Sequence, residues 1–201
     1  MAVWMKSVKV GVRGLVQPLA AGLARAGVRA NWLTYAGFLL NVAVAAIVAD
    51  GWLAIGGVLF LLVNALDFLD GAVARASGTA GAYGAFLDSV LDRYSEAVVF
   101  IGLMVWFMRT DDAVAMVAAA LAMAGSFMVS YCRARAEGLG LDCEVGLLQR
   151  PERIVILGVG MILHEYALVL VLIGLTVLTN FTAAQRMRHV GKLFEERRAR
   201  G

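Results

Sequence analysis

Lysine is missing from residue 10 through residue 191, and between residues 30 and 108 the only basic side chains are Arg75 and Arg93. Cysteine and histidine are scarce, at 2 each, and neither Cys132 nor Cys143 has a histidine close to it in sequence. These shortages exclude a disulfide scaffold and any zinc-ligand spacing, so reduced thiols are expected. His164 and His189 stand alone and read as structural or solvated. Charged residues make up 16% of the 201 residues, and no internal repeat or low-complexity linker is apparent. The basic C-terminal stretch KLFEERRAR reads as a solvated anchor, and nucleic acid is not an expected partner.

What the chain has in abundance is apolar surface. Its hydrophobic content of 61% and mean hydropathy of +0.80 exceed what a soluble core can hide. The expected fold class is an all-α integral membrane protein. A spanning helix needs about 20 mainly apolar residues, and six segments qualify: 31–49, 52–75, 82–108, 113–135, 151–163 extended by its flanks, and 167–188. The first 30 residues alternate Lys6, Lys9 and Arg13 with Trp4, Val10 and Leu15. That pattern predicts an amphipathic helix lying in the membrane interface rather than a cleaved signal peptide. Residues 1–201 form a single membrane domain in this reading, with a six-helix core over 31–188 and a basic cytoplasmic tail over 189–201.

Orientation follows from the excess of Lys and Arg in cytoplasmic loops. Of the 18 basic residues only Arg109 falls on the outer side of this arrangement. Both termini are therefore expected in the cytoplasm, in the plasma membrane of the cell.

Four carboxylates interrupt the apolar stretches. Asp67 and Asp70 stand three apart and Asp88 and Asp92 four apart, spacings that place each pair on one side of a helix. A carboxylate near a bilayer centre costs roughly 2.5 to 3.5 kcal/mol on insertion scales, and the sequence supplies almost no local cation to offset it. A divalent cation would. Hard oxygen ligands suit Mg²⁺ or Mn²⁺, and Mg²⁺ commonly combines one or two carboxylates with substrate phosphates and water. Four acids therefore suggest two ions, or one ion and a catalytic base. Gly71 and Gly84 sit inside predicted helices, where glycine costs roughly 1 kcal/mol relative to alanine. Something must approach the backbone there, either a ligand or a closely packed helix.

The string D67-x2-D70-G71-x2-A74-R75-x8-G84-x3-D88-x3-D92 resembles the signature of the CDP-alcohol phosphotransferase family at every specified position. The resemblance implies an enzyme in which an alcohol attacks the lipid-side phosphate of a CDP-linked lipid and CMP leaves. It implies that Gly71, Ala74 and Gly84 make room for the cytidine nucleotide and that Arg75 contacts its phosphate. Asp67, Asp70 and Asp88 would be the main metal ligands. Asp92 would be the general base, with a possible share in coordination. RANWLTYAGF is similar to a nucleotide-binding segment of the family, with Ala30 in place of the usual proline. Asn31 and Thr34 match it, although capping of the first span by Asn31 accounts for that residue equally well. Homodimerisation is implied by the resemblance alone.

Arg133, Arg153 and Arg186 lie at expected cytoplasmic ends of three different helices. They are either interfacial anchors or, if they converge, a phosphate pocket, since guanidinium forks bind phosphate bidentately. Their contexts Y-x-R-A-R-A-E, R-P-E-R and Q-R, with the Asp92-Arg93 pair, are similar to the inositol-phosphate-using subgroup. In that subgroup basic residues at these three positions hold the acceptor phosphate. The resemblance thus implies transfer of a diacyl or ether lipid phosphate to inositol 1-phosphate. Glycerol 3-phosphate is the alternative acceptor. A cation transporter is the alternative from another class, because intramembrane acids also mark ion pathways; against it, all four acids cluster toward one leaflet.

Overall fold

The structure, a computed structural model, describes residues 17–200 other than the side chains of Phe68 and Arg200. Every regular element among these residues is helical. Helix α1 covers 17–25, followed by α2 (Ala30–Ala49), α3 (Leu53–Ala76), α4 (Ala82–Arg109), α5 (Ala113–Glu137), α6 (Arg150–Leu163) and α7 (Glu165–Arg200). Most of the interfacial helix expected over residues 1–30 lies outside the described residues. The helix limits follow the apolar runs closely, because each run ends in a polar turn that can satisfy the terminal backbone groups. Asp112, for example, caps α5 by accepting from the Ala115 N–H at 2.9 Å.

Four helices, α2, α3, α5 and α7, are long and apolar enough to cross a membrane. Large apolar side chains such as Leu39, at 64% exposed, and Leu170, at 71%, point outward along them. Such a surface suits lipid and not water, and the chain is a membrane protein. Helix α4 falls outside this group because Asp88, Asp92, Arg93 and Glu96 interrupt it as far as its midpoint, and α6 because it has only 14 residues.

The basic segment from residue 189 is not a separate tail. It forms the last turns of α7, a single helix of 36 residues. The reason is local packing: Val190 and Leu193 rest against a buried cluster of Ala136, Leu141 and Cys143, and Arg197 Nη2 donates to the Gly140 carbonyl at 2.7 Å.

The chain forms two compact units, one built from residues up to Ala43 with Leu62–Ser95, the other from Val44–Leu61 with Glu96–Gly201. In the first, buried Asn41 accepts from Asn64 Nδ2 at 3.4 Å and donates to the Gly37 carbonyl at 3.0 Å, tying α2 to α3. In the second, α7 packs along α5 and α6. Close approach there depends on small residues. A Cβ on Gly102 would lie 2.5 Å from the Ala45 carbonyl oxygen, and one on Gly57 2.7 Å from the Gly158 carbonyl oxygen.

Candidate active site

In the first unit the carboxylates of α3 face α2. Asp70 is buried, and its Oδ2 accepts from the Thr34 hydroxyl at 2.9 Å while Oδ1 accepts from the Gly71 N–H. Asp67 Oδ1 lies 3.1 Å from where a Cβ on Gly37 would stand, so the missing side chain at Gly37 gives this carboxylate its space. Asn31 is already inside α2, which begins at Ala30, and therefore does not cap that helix. Its Oδ1 instead faces Gly84 of α4. Asp88 and Asp92 are half-buried on α4, and the Arg93 guanidinium lies 3.7 Å from Asp92. Thr34 and Asp70 are thus joined directly, while Asn31 stands beside Gly84.

The glycines divide into two kinds. A Cβ on Gly84 would meet only Asn31 Oδ1, at an ordinary 3.6 Å, and one on Gly71 only the mobile head of Arg75, at 3.4 Å. No helix packs against either closely enough to require glycine, in contrast to Gly57 and Gly102. Packing among the described residues therefore does not account for glycine at the two motif positions. Ala74 is half-buried beside them and Arg75 is exposed.

Among the described residues no three carboxylate, imidazole or thiol groups are arranged to hold an ion by themselves. The donors present are nevertheless all hard oxygens, with the Thr34 hydroxyl fixing one carboxylate. That set fits Mg²⁺ or Mn²⁺, which commonly depend on substrate phosphates to complete their shell.

The second unit holds the three arginines. Arg186 is 2% exposed, and among the described residues its guanidinium donates only to main-chain oxygens: Nε to Val145 at 2.8 Å and Nη1 to Val129 at 2.7 Å. Gly146, with φ +128°, permits the loop to turn against α7 at this point, where an added Cβ would clash with Thr182 and stand 3.6 Å from Arg186 Nε. Among the described residues no carboxylate neutralises Arg186, while the charges of Arg133 and Arg153 both act on it. A buried guanidinium without an acid partner is unusual. Arg153, also 2% exposed, is gripped by Glu96, Nε to Oε1 at 3.0 Å and Nη2 to Oε2 at 3.2 Å. Arg133 makes looser pairs with Glu137 at 2.8 Å and Glu144 at 3.5 Å. Glu144 and Val145, partners of Arg133 and Arg186, also line a cavity of about 620 Å³ with Asp142 and His189. Nearby Cys143 is fully buried, and that burial pushes its thiol pKa up, keeping it protonated.

The sequence profile of the CDP-alcohol phosphatidyltransferase family matches residues 28–186, a range that contains Asp67, Asp70, Asp88 and Asp92, Gly71 and Gly84, and Arg133, Arg153 and Arg186. The chain belongs to that family. Among its relatives, archaetidylinositol phosphate synthase of Methanothermobacter thermautotrophicus is 37% identical over 183 residues, covering 89% of this chain and 90% of that one. Phosphatidylinositol phosphate synthase of Mycobacteroides abscessus is 37% identical over 183 residues, covering 88% and 83%. The fold is also similar to the crystal structure of Mycobacterium tuberculosis phosphatidylinositol phosphate synthase with CDP-DAG bound. The TM-score is 0.82 at 32% identity, over 87% of this chain and 92% of that one. A second structure of that enzyme, in complex with manganese and citrate, gives a TM-score of 0.81 at 32% identity over 87% and 88%.

Membership of the CDP-alcohol phosphatidyltransferase family makes the chain a transferase and removes the transporter alternative. Two residues escaped the sequence reading. Gly37 lies in an apolar run where glycine is unremarkable. Glu96 lies just past the signature, and only its burial against Arg153 distinguishes it.

Proposed function

We propose that this phosphatidyltransferase moves a phosphatidyl-type group from a CDP-lipid to inositol 1-phosphate and releases CMP. The observation that carries the acceptor assignment is the buried Arg186, a guanidinium held by two carbonyl oxygens, with no carboxylate partner among the described residues and with two further arginine charges acting on it. A phosphate is the natural complement of such a group. Arg153 adds a second buried guanidinium. Arg133 contributes a third, and its partners are partly exposed pairs, worth about 0–1 kcal/mol each, that a phosphate displaces at little cost. The names of the relatives support inositol phosphate over glycerol 3-phosphate.

At the donor side, Asn31, Thr34, Gly71, Ala74 and Gly84 form the nucleotide's seat, and Arg75 contacts a donor phosphate. Asp67, Asp70 and Asp88, with a share from Asp92, would hold one or two Mg²⁺ or Mn²⁺ ions. When bound, the metal supplies charge neutralisation for the pyrophosphate and the developing transition state. Asp92 takes the proton from the acceptor hydroxyl. That oxygen forms its bond to the lipid-side phosphorus as the bond to CMP breaks, and CMP leaves with the electron pair. Thr34 orients Asp70 by donating to Oδ2.

The proposed setting is a single catalytic domain of the plasma membrane. Helices α4 and α6 complete six spans, the first residues form an interfacial helix, both termini and the site face the cytoplasm, and two copies associate. The positive-inside charge distribution supports the orientation. An acceptor panel tests the function: purified protein in CDP-lipid micelles is given inositol 1-phosphate, free inositol, glycerol 3-phosphate or serine, with CMP release as the readout. Inositol 1-phosphate should be the preferred acceptor. Faster turnover with glycerol 3-phosphate would overturn the assignment.

A further inference from the structure

Glu96 and Arg153 form a two-toothed ion pair between α4 and α6, with both side chains almost fully buried, at 4% and 2% exposed. Such a pair is weak evidence of stabilisation, because removing two charges from water costs as much as their attraction returns, and apolar residues of similar size often serve as well. Its geometry accounts for its presence better. Glu96 takes the edge of the guanidinium formed by Nε and Nη2, and no other bond to that guanidinium is made among the described residues. The Nη1 N–H groups and the far side of Nη2 are left as donors. An arginine side chain otherwise has several rotatable bonds, and fixing it in advance reduces the ordering cost of binding. Glu96 stands four residues beyond Asp92 on α4.

We propose that Glu96 is a positioning residue for acceptor binding: it fixes the Arg153 guanidinium so that its free edge is presented to the acceptor phosphate. This rests on the reading of Arg153 as a phosphate ligand. Glu96 touches neither substrate, and its whole effect on the acceptor passes through Arg153.

The test is a double-mutant cycle in detergent-solubilised full-length protein, with separate apparent KM values for inositol 1-phosphate and CDP-lipid. Glu96→Gln keeps the shape and removes the charge, whereas Glu96→Asp keeps the charge and withdraws the carboxylate. Each should raise the KM for inositol 1-phosphate by about 10-fold and leave the KM for CDP-lipid within about twofold. In an Arg153→Ala background, itself raised in acceptor KM, Glu96→Gln should add no further increase, since coupled residues are non-additive. A further 10-fold rise in that background, an equal rise in the KM for CDP-lipid, or no rise with either Glu96 variant would overturn the proposal. If Arg153→Ala leaves the acceptor KM unchanged, the phosphate-ligand reading itself fails, which separates the two failures.

Discussion

Replacing Gly84 by alanine separates a ligand cleft from a packing contact, because the structure forecasts opposite signs for stability and donor binding. The added Cβ would lie 3.6 Å from Asn31 Oδ1, an ordinary van der Waals distance. No neighbour has to move. Alanine is favoured over glycine inside a helix by about 1 kcal/mol, so the thermal midpoint in detergent should rise by about 2–4 °C, the shift such an increment produces in a chain of this size. The same methyl group would intrude on the space assigned to the nucleotide. Overfilling a fitted site costs about 1–3 kcal/mol. At about 1.4 kcal/mol per factor of ten, the apparent KM for CDP-lipid should increase by about 10- to 100-fold. Gly102→Ala provides the contrast: its Cβ would stand 2.5 Å from the Ala45 carbonyl oxygen, a main-chain atom that cannot swing away. That variant should lose about 1–3 kcal/mol of stability while the folded fraction keeps its CDP-lipid KM. Thermal unfolding and CMP-release kinetics on the two proteins decide the matter. If Gly84→Ala melts as early as Gly102→Ala and binds CDP-lipid normally, helix packing explains both glycines and the donor cleft is misplaced.

Three further outcomes are expected. Excess chelator should abolish CMP release and Mg²⁺ or Mn²⁺ should restore it, whereas full turnover in chelator would refute the metal assignment. Asp92→Asn should lower the rate by roughly 10²-fold or more, as loss of a general base does, with CDP-lipid binding largely retained; lost binding with an unimpaired bound fraction would make Asp92 a metal ligand and not the base. Arg186→Ala should raise the KM for inositol 1-phosphate by about 10- to 100-fold, the size of one or more charge-assisted hydrogen bonds, while Arg188→Ala, at an exposed position two residues further on α7, should not. Equal effects of the two would point to membrane anchoring.

The sequence by itself determined the helical membrane character and the positions of the apolar helices, because both follow from composition and run length, which are local. It also determined the paired spacing of Asp67, Asp70, Asp88 and Asp92, since residues three and four apart share a helix face whatever surrounds them. The family could be read from the same string. The sequence could not say whether Gly71 and Gly84 serve a ligand or a neighbouring helix. That depends on which atoms of another helix stand opposite, and only the structure shows ordinary clearance there and crowding at Gly57 and Gly102. Tertiary structure likewise decided that Asn31 faces Gly84 instead of capping α2, that Thr34 donates to Asp70, and that α7 continues through its basic end because Val190 and Leu193 find a buried cluster. The pairing of Glu96 with Arg153 joins residues 57 apart in sequence. No periodicity along either helix encodes it, because helix crossing alone determines which side chains from distant segments are buried together.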